Sequence, residues 1–157
     1  MFEHGIREVF DAQSDEAALR ERLRQIGGTP AELRQHERTA DGVRYTLLQG
    51  IGVEQLPPAV RSLRNSDLVV HREQHFETSD SGYHGHATVT VEGIPGEITA
   101  HTEITPDSDT TVQYTTGEAT VRIPLVGSKL ESVIAEQVTK LLRKEAEFVT
   151  RWLTREE

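Results

Sequence analysis

Seven histidines, five of them between His71 and His101, are the side chains best suited to bind a metal or to change charge near neutral pH. They lie in stretches where polar and apolar residues alternate, so cross-strand register decides which of them meet. A turn at Ser79-Asp80-Ser81-Gly82 that sets Thr78 against Tyr83 places Glu77 opposite His84 and His75 opposite His86. If Glu92 then opposes Glu97, His86 faces Glu103 and Thr88 faces His101. The row His75, His86 and Glu103 would join two imidazoles and a carboxylate, with facing Cβ atoms about 5 Å apart, a set able to ligate zinc or nickel. The other face of the same strands carries Leu68, Val70, Phe76, Ala87, Val89, Val91, Ile98, Ala100 and Ile104, so the row falls on a wet, convex face. A catalytic metal needs a dry, shaped cavity. The histidines therefore read as a solvated, pH-sensitive surface, and no metal site is assigned.

Arg72 and Gln74 are polar exceptions on the inward face, between Val70 and Phe76. A buried guanidinium needs a partner. Either it meets a ligand's carboxylate or phosphate, or it pairs with Glu131 or another acid on the final helix, or it reaches solvent at the sheet edge. Tyr45, Tyr83 and Tyr114 could present hydroxyls to a cavity there, with Phe76, Ile134, Val138 and Leu142 as its apolar wall. The same apolar residues, and Trp152 as a lid, also read as plain core. Nucleophilic catalysis finds no support: Ser14 reads as a helix cap, Ser79 and Ser81 lie in a turn, and no Gly-x-Ser-x-Gly elbow occurs. Gly50-Ile51-Gly52 lacks the further glycine and lysine of a phosphate loop. No catalytic residue and no cofactor is assigned.

Composition limits the setting. The chain of 157 residues has the length of one domain. It has no cysteine, which excludes disulfides and thiolate zinc sites and is compatible with a reducing compartment. No signal peptide or membrane span is apparent, and a cytoplasmic, soluble protein is expected. A net charge of −9 opposes nucleic acid, and the scatter of Arg61, Arg64 and Arg72 is interrupted by Asp67 and Glu73.

The elements that must position these residues follow from periodicity. Phe2 to Phe10 alternates as a first strand. Ser14 caps a helix with Leu19, Leu23 and Ile26 on its apolar stripe, ended by Gly27-Gly28, and Thr29-Pro30-Ala31-Glu32 starts a short second one. Strands follow near residues 34–39 and 43–49 around Asp41-Gly42, and Gly50 to Asp67 forms an excursion with one helical turn. Four strands span residues 68–77, 83–92, 97–105 and 110–123, with a bulge at Gly117 where the apolar parity changes. After Pro124, Leu130, Val133, Ile134, Val138, Leu141, Leu142, Phe148, Val149, Trp152 and Leu153 mark one long amphipathic helix. The expectation is a single α+β domain over residues 1–157, in which a seven-stranded antiparallel sheet curves around the C-terminal helix, with two short helices between strands 1 and 2.

That order, with Arg122-Ile123-Pro124-Leu125-Val126-Gly127-Ser128-Lys129-Leu130-Glu131 leading into the last helix, resembles the START-like superfamily, the helix-grip or birch-allergen-like (SRPBCC) fold. More narrowly it looks like an actinobacterial family of unknown function whose last strand enters the helix through a Pro-Leu-Val-Gly-Gly-Lys turn, from which Ser128 departs. The resemblance implies a cavity for sterols, lipids, polyketides or hormones, and some members are cyclases or hydrolases; the fold alone does not choose among them. The resulting expectation is a non-catalytic carrier of a small hydrophobic or amphipathic molecule, lipid-like or polyketide-like, with Arg72 and Gln74 orienting its polar end. The alternatives are an enzyme acting on such a molecule and a protein-interaction module without an assigned partner.

Overall fold

The computed structural model describes residues 2–26, 28, 30–51, 58, 68–123 and 127–155. Helices α1 (Ile6–Ser14) and α2 (Glu16–Ile26) come first. Strands β1 (Ala31–Arg38), β2 (Gly42–Ile51), β3 (Leu68–Ser79), β4 (Gly82–Val91), β5 (Ile94–Asp107) and β6 (Thr110–Val121) follow, then helix α3 (Gly127–Thr154). The six strands form one antiparallel sheet in sequential order, so every neighbour in space is a neighbour in sequence. The α+β architecture and the long C-terminal helix are as expected, with six strands among the described residues in place of seven.

The missing strand is α1. Alternation from Phe2 to Phe10 puts His4 and Glu8 on the supposed apolar face, whereas Ile6, Val9, Phe10 and Gln13 fall on one side of a helix, and Val9, Phe10 and Gln13 are buried there. Among the described residues of that stretch the only strand-like contact is an isolated bridge between Phe2 and Thr111. Ser14 ends α1, its Oγ donating to the Phe10 carbonyl at 2.8 Å, and the cap of α2 is Asp15, whose Oδ2 accepts from the Ala18 amide at 3.2 Å. The second short helix is also absent, because Ala31 onward is β1, with Pro30 just before the strand, where no ladder donor is lost. Of the excursion expected over Gly50 to Asp67, Gly50 and Ile51 belong to β2, and the rest with its helical turn lies, apart from Pro58, outside the described residues, as does the Pro124-Leu125-Val126 part of the junction.

Register follows the turns. Thr78 pairs with Tyr83 and His75 with His86, as expected. The next hairpin is tighter than expected: Val91 pairs with Ile94 around Glu92-Gly93, with Gly93 at φ +82°, and an irregularity lies between Val89 and Val91. His86 consequently faces His101, His84 faces Glu103, and Thr88 faces Thr99. A slip of two residues leaves every side chain on its own face and changes only its neighbours. No bulge occurs at Gly117, which pairs with Ala100 in an unbroken ladder; the parity change arises because Val112 and Tyr114 lie on the outer face.

Two apolar clusters grip α3. Near its C-terminal end, Phe148 and Val149 join Val9, Phe10, Tyr45, Leu47, Phe76, Tyr83 and Ile104. The rings of Phe10 and Tyr83 stack at 3.9 Å and Phe76 meets Phe10 edge-on at 5.9 Å. Near its N-terminal end Leu130 packs with Leu68 and Val121. Between them the helix carries only half-buried apolar residues, Val133, Ile134, Val138, Leu141 and Leu142. Small residues lie together on the sheet, Gly85 opposite Phe76, Ala87 opposite Gln74 and Ala100, and Gly117 opposite Ala100. At Gly85 the space of a Cβ is already taken, 2.6 Å from the Phe76 ring and 3.1 Å from Gln74 Nε2. A Gly85→Ala variant is therefore expected to lose about 1–3 kcal/mol by overpacking, read as a lowered Tm in thermal unfolding, while a Tm equal to wild type would show that Phe76 moves aside freely.

Candidate functional site

Where the two clusters part, a cavity of about 280 Å³ lies between sheet and α3. Its apolar wall comes from Phe76, Ala87 and Ala100 on the sheet and from Leu142, Ala146 and Val149 on α3. Its polar wall comes from Gln13, Arg22, Arg72, Gln74, Thr102, Gln113, Thr115 and Glu145, and the exposed Thr139 and Arg143 stand at its rim. Small residues on the sheet open the space, and polar residues from α1, α2, β3, β5, β6 and α3 converge on it. That combination, an apolar body with a few placed polar groups, is the usual chemistry of a small-molecule site.

The centre of the polar wall is a buried charge cluster. Arg72 Nη1 donates to both carboxylate oxygens of Glu145, at 3.0 and 2.8 Å, and Arg72 Nη2 donates to Gln74 Oε1 at 3.4 Å. Gln74 in turn donates from Nε2 to the His86 carbonyl at 3.3 Å, which fixes its amide. Arg22, from α2, approaches the same carboxylate with Nη1 3.8 Å from Oε1. Arg22 and Glu145 are 4% and 5% exposed, so this is an interior arrangement of two guanidiniums around one carboxylate. Among the described residues the Nε and Nη2 of Arg22 have no hydrogen-bond partner. Burial pushes the Glu145 carboxyl toward its neutral form, but the charges of Arg22 and Arg72 and the Arg72 hydrogen bonds outweigh it and hold the pKa below its ordinary value of 4.5. Burial likewise opposes the charge of Arg72, and Glu145 more than restores it, raising that pKa further.

Of the residues expected at a site, Arg72, Gln74, Phe76, Tyr45 and Leu142 meet around this cavity. Tyr114 does not: it lies on the outer face, 67% exposed, opposite Glu103. Ile134 packs into the N-terminal apolar cluster, and Val138 is half-buried without lining the cavity. Tyr83 is core, stacked on Phe10. Arg72 takes its partner from the final helix, and the acid is Glu145; Glu131 instead accepts the Val121 amide at 2.8 Å. Arg22 and Glu145 were missed, although each left a signal. Arg22 sits between Leu19 and Leu23 on the apolar stripe of α2, and Glu145 interrupts the stripe that runs through Leu141, Leu142, Phe148 and Val149. A charge at a core-facing helical position needs a partner inside.

The histidines form a different row from the one expected. His75, His86 and His101 are aligned across β3, β4 and β5 on the outer face, with the rings of His86 and His101 at 4.8 Å, and Glu103 faces His84 instead. Among the described residues no group of three has the placement of a metal site. A wider groove of about 710 Å³ runs between α2 and β1, but its arginines are answered at the surface, Arg20 by Glu16, Arg24 by Glu21 and Arg34 by Glu32. It offers no unmet charge.

Because the folded-state pKa of Glu145 is depressed, the stability its charge contributes is complete above 4.5 and is lost as pH falls through the lower folded-state value. Glu145→Gln leaves two guanidiniums uncompensated and is expected to cost about 3–5 kcal/mol at pH 7. The gap in Tm between wild type and this variant should narrow as pH is lowered below 4.5. A gap of constant size from pH 7 to pH 3 would contradict the charged cluster.

Among the described residues no helix is long and apolar enough to cross a membrane. The model of the family described as "Protein of unknown function (DUF2505)" matches residues 1–153. Uncharacterized proteins of Mycobacterium bovis and Mycobacterium tuberculosis are 31% identical to this chain over 118 residues, covering 71% of it and 66% of each relative. The chain thus spans about two-thirds of the length of those relatives. An actinobacterial family of unknown function was the narrower expectation from the strand-to-helix junction, and with the family model matching almost end to end, the chain belongs to the family of unknown function DUF2505.

Proposed function

We propose that this protein binds a small amphipathic molecule, lipid-like or polyketide-like, in the cavity between the sheet and α3, and does not transform it. The observation that carries this reading is the cavity itself, about 280 Å³ with an apolar wall on sheet and helix and a polar wall whose charged centre converges from α2, β3 and α3. Its volume lies near the lower end of small-molecule sites, about 300 Å³, which favours a short or compact ligand. The arrangement of a curved antiparallel sheet around a C-terminal helix supports placing the chain among START-like, helix-grip proteins. The cysteine-free composition suits a cytoplasmic setting.

Binding is favoured over catalysis by the direction of the charges. Glu145 is held ionised further into acid and Arg72 further into base, both away from neutrality. A general acid or base at this site would need the opposite, a pKa brought toward the working pH.

The test is to fill the cavity. Ala100→Leu adds apolar volume at the floor without touching the charge cluster. Saturable binding of 1-octanol, followed by ligand-observed NMR, is expected to weaken tenfold or more in this variant while Tm stays at or above that of wild type. Equal binding by both proteins would place the ligand elsewhere and overturn the assignment.

A further inference from the structure

We propose that the ligand is a monocarboxylate and that Arg22 is its anchor; this rests on the cavity reading above and names the ligand's polar end. The cluster holds one carboxylate for two guanidiniums, and that carboxylate is committed to Arg72 by two hydrogen bonds of 3.0 and 2.8 Å. Arg22 is left with a single longer approach of 3.8 Å through Nη1. Its Nε and Nη2 are buried and have no hydrogen-bond partner among the described residues. Those two nitrogens form the side-on edge of the guanidinium, whose parallel N–H groups match the two oxygens of a planar carboxylate.

Leaving such donors unpaired in the interior is costly, more so for a charged group. Arg22 lines the same cavity as Arg72, and a third arginine, Arg143, stands at the rim, while Glu145 is the one acid among the described lining residues. The cavity is therefore positively charged around an apolar chamber, and one further anion would both neutralise the excess and satisfy the fork. A carboxylate carried on a short apolar body meets both conditions once the guanidinium turns its buried edge toward the cavity: its head meets Arg22, and its body lies against Phe76, Ala100 and Leu142. Gln74, tethered to the His86 carbonyl, and Arg72, tethered to Glu145, are already occupied, so the orienting group is Arg22 and not the Arg72–Gln74 pair.

The experiment compares octanoate with 1-octanol, which share the apolar body and differ at the head, on wild type and on Arg22→Met. Wild type is expected to bind octanoate at least tenfold more tightly than 1-octanol by calorimetry at pH 7. Arg22→Met should lose that preference and keep its 1-octanol affinity within about twofold, because methionine retains the apolar stem while removing the donors. Since Arg22→Met removes the cluster's excess positive charge and leaves Glu145 its two hydrogen bonds from Arg72, its Tm should not fall. If the variant does not fold, the head-group preference of wild type and its reversal with octylammonium still decide the matter. Equal affinity for octanoate and 1-octanol, unchanged by Arg22→Met, would overturn the carboxylate assignment and leave the cavity reading standing; saturable binding of neither would overturn both.

Discussion

A single buried carboxylate ties the molecule together. Glu145 on α3 draws Arg72 from the middle of the sheet and Arg22 from α2, so three elements distant in sequence meet at one side chain. Charges taken out of water recover their lost hydration only through close, well-directed partners, and such groups often contribute little net stability compared with apolar residues of similar size. A cluster of this kind therefore constrains how the helices sit on the sheet more than it strengthens the fold, and it does so beside a cavity.

The rest of the architecture keeps that cluster dry and leaves room next to it. Phe148 and Val149 anchor one end of α3 and Leu130 the other, while between them Leu142 lines the cavity together with Ala87 and Ala100 of the sheet. Gly85 extends the same logic, because the absence of a Cβ lets Phe76 and the Gln74 amide lie flat against β4. Packing is thus dense at both ends and deliberately thin in the middle. The outer face, with His75, His86 and His101 in a row, is separate from this chamber.

How much of this the sequence reveals depends on whether the signal is local. The β3–β4 register was legible because Ser79-Asp80-Ser81-Gly82 closes a short turn between strongly alternating strands. The β4–β5 register was not, since a two-residue turn at Glu92-Gly93 and an irregularity at Val89 replaced the longer turn that Gly93 and Gly96 suggest. Helix α1 was hidden because Phe2, Ile6 and Phe10 satisfy a period of two as well as Ile6, Val9, Phe10 and Gln13 satisfy a helical one. Tyr114 shows the limit for the site: an aromatic residue in a strand was read as inward-facing, but unbroken pairing from Gly96 to Asp107 turns it out to solvent. Arg72 and Gln74 were recognisable as inward polar residues, whereas Glu145 and the partly satisfied Arg22 required the helical stripes to be checked for charges as well as for apolar residues.

The central claim, that an interior charge excess at Arg22 is completed by a ligand carboxylate, is tested most directly by a crystal structure of the protein grown with octanoate in a buffer free of other carboxylates. The account predicts planar density bound through two oxygens to Nε and Nη2 of Arg22, with the chain running along Phe76 and Leu142 and the Arg72–Glu145 pair undisturbed. An Arg22 side chain paired only with water or turned onto Glu145, with octanoate absent from the cavity, would contradict it.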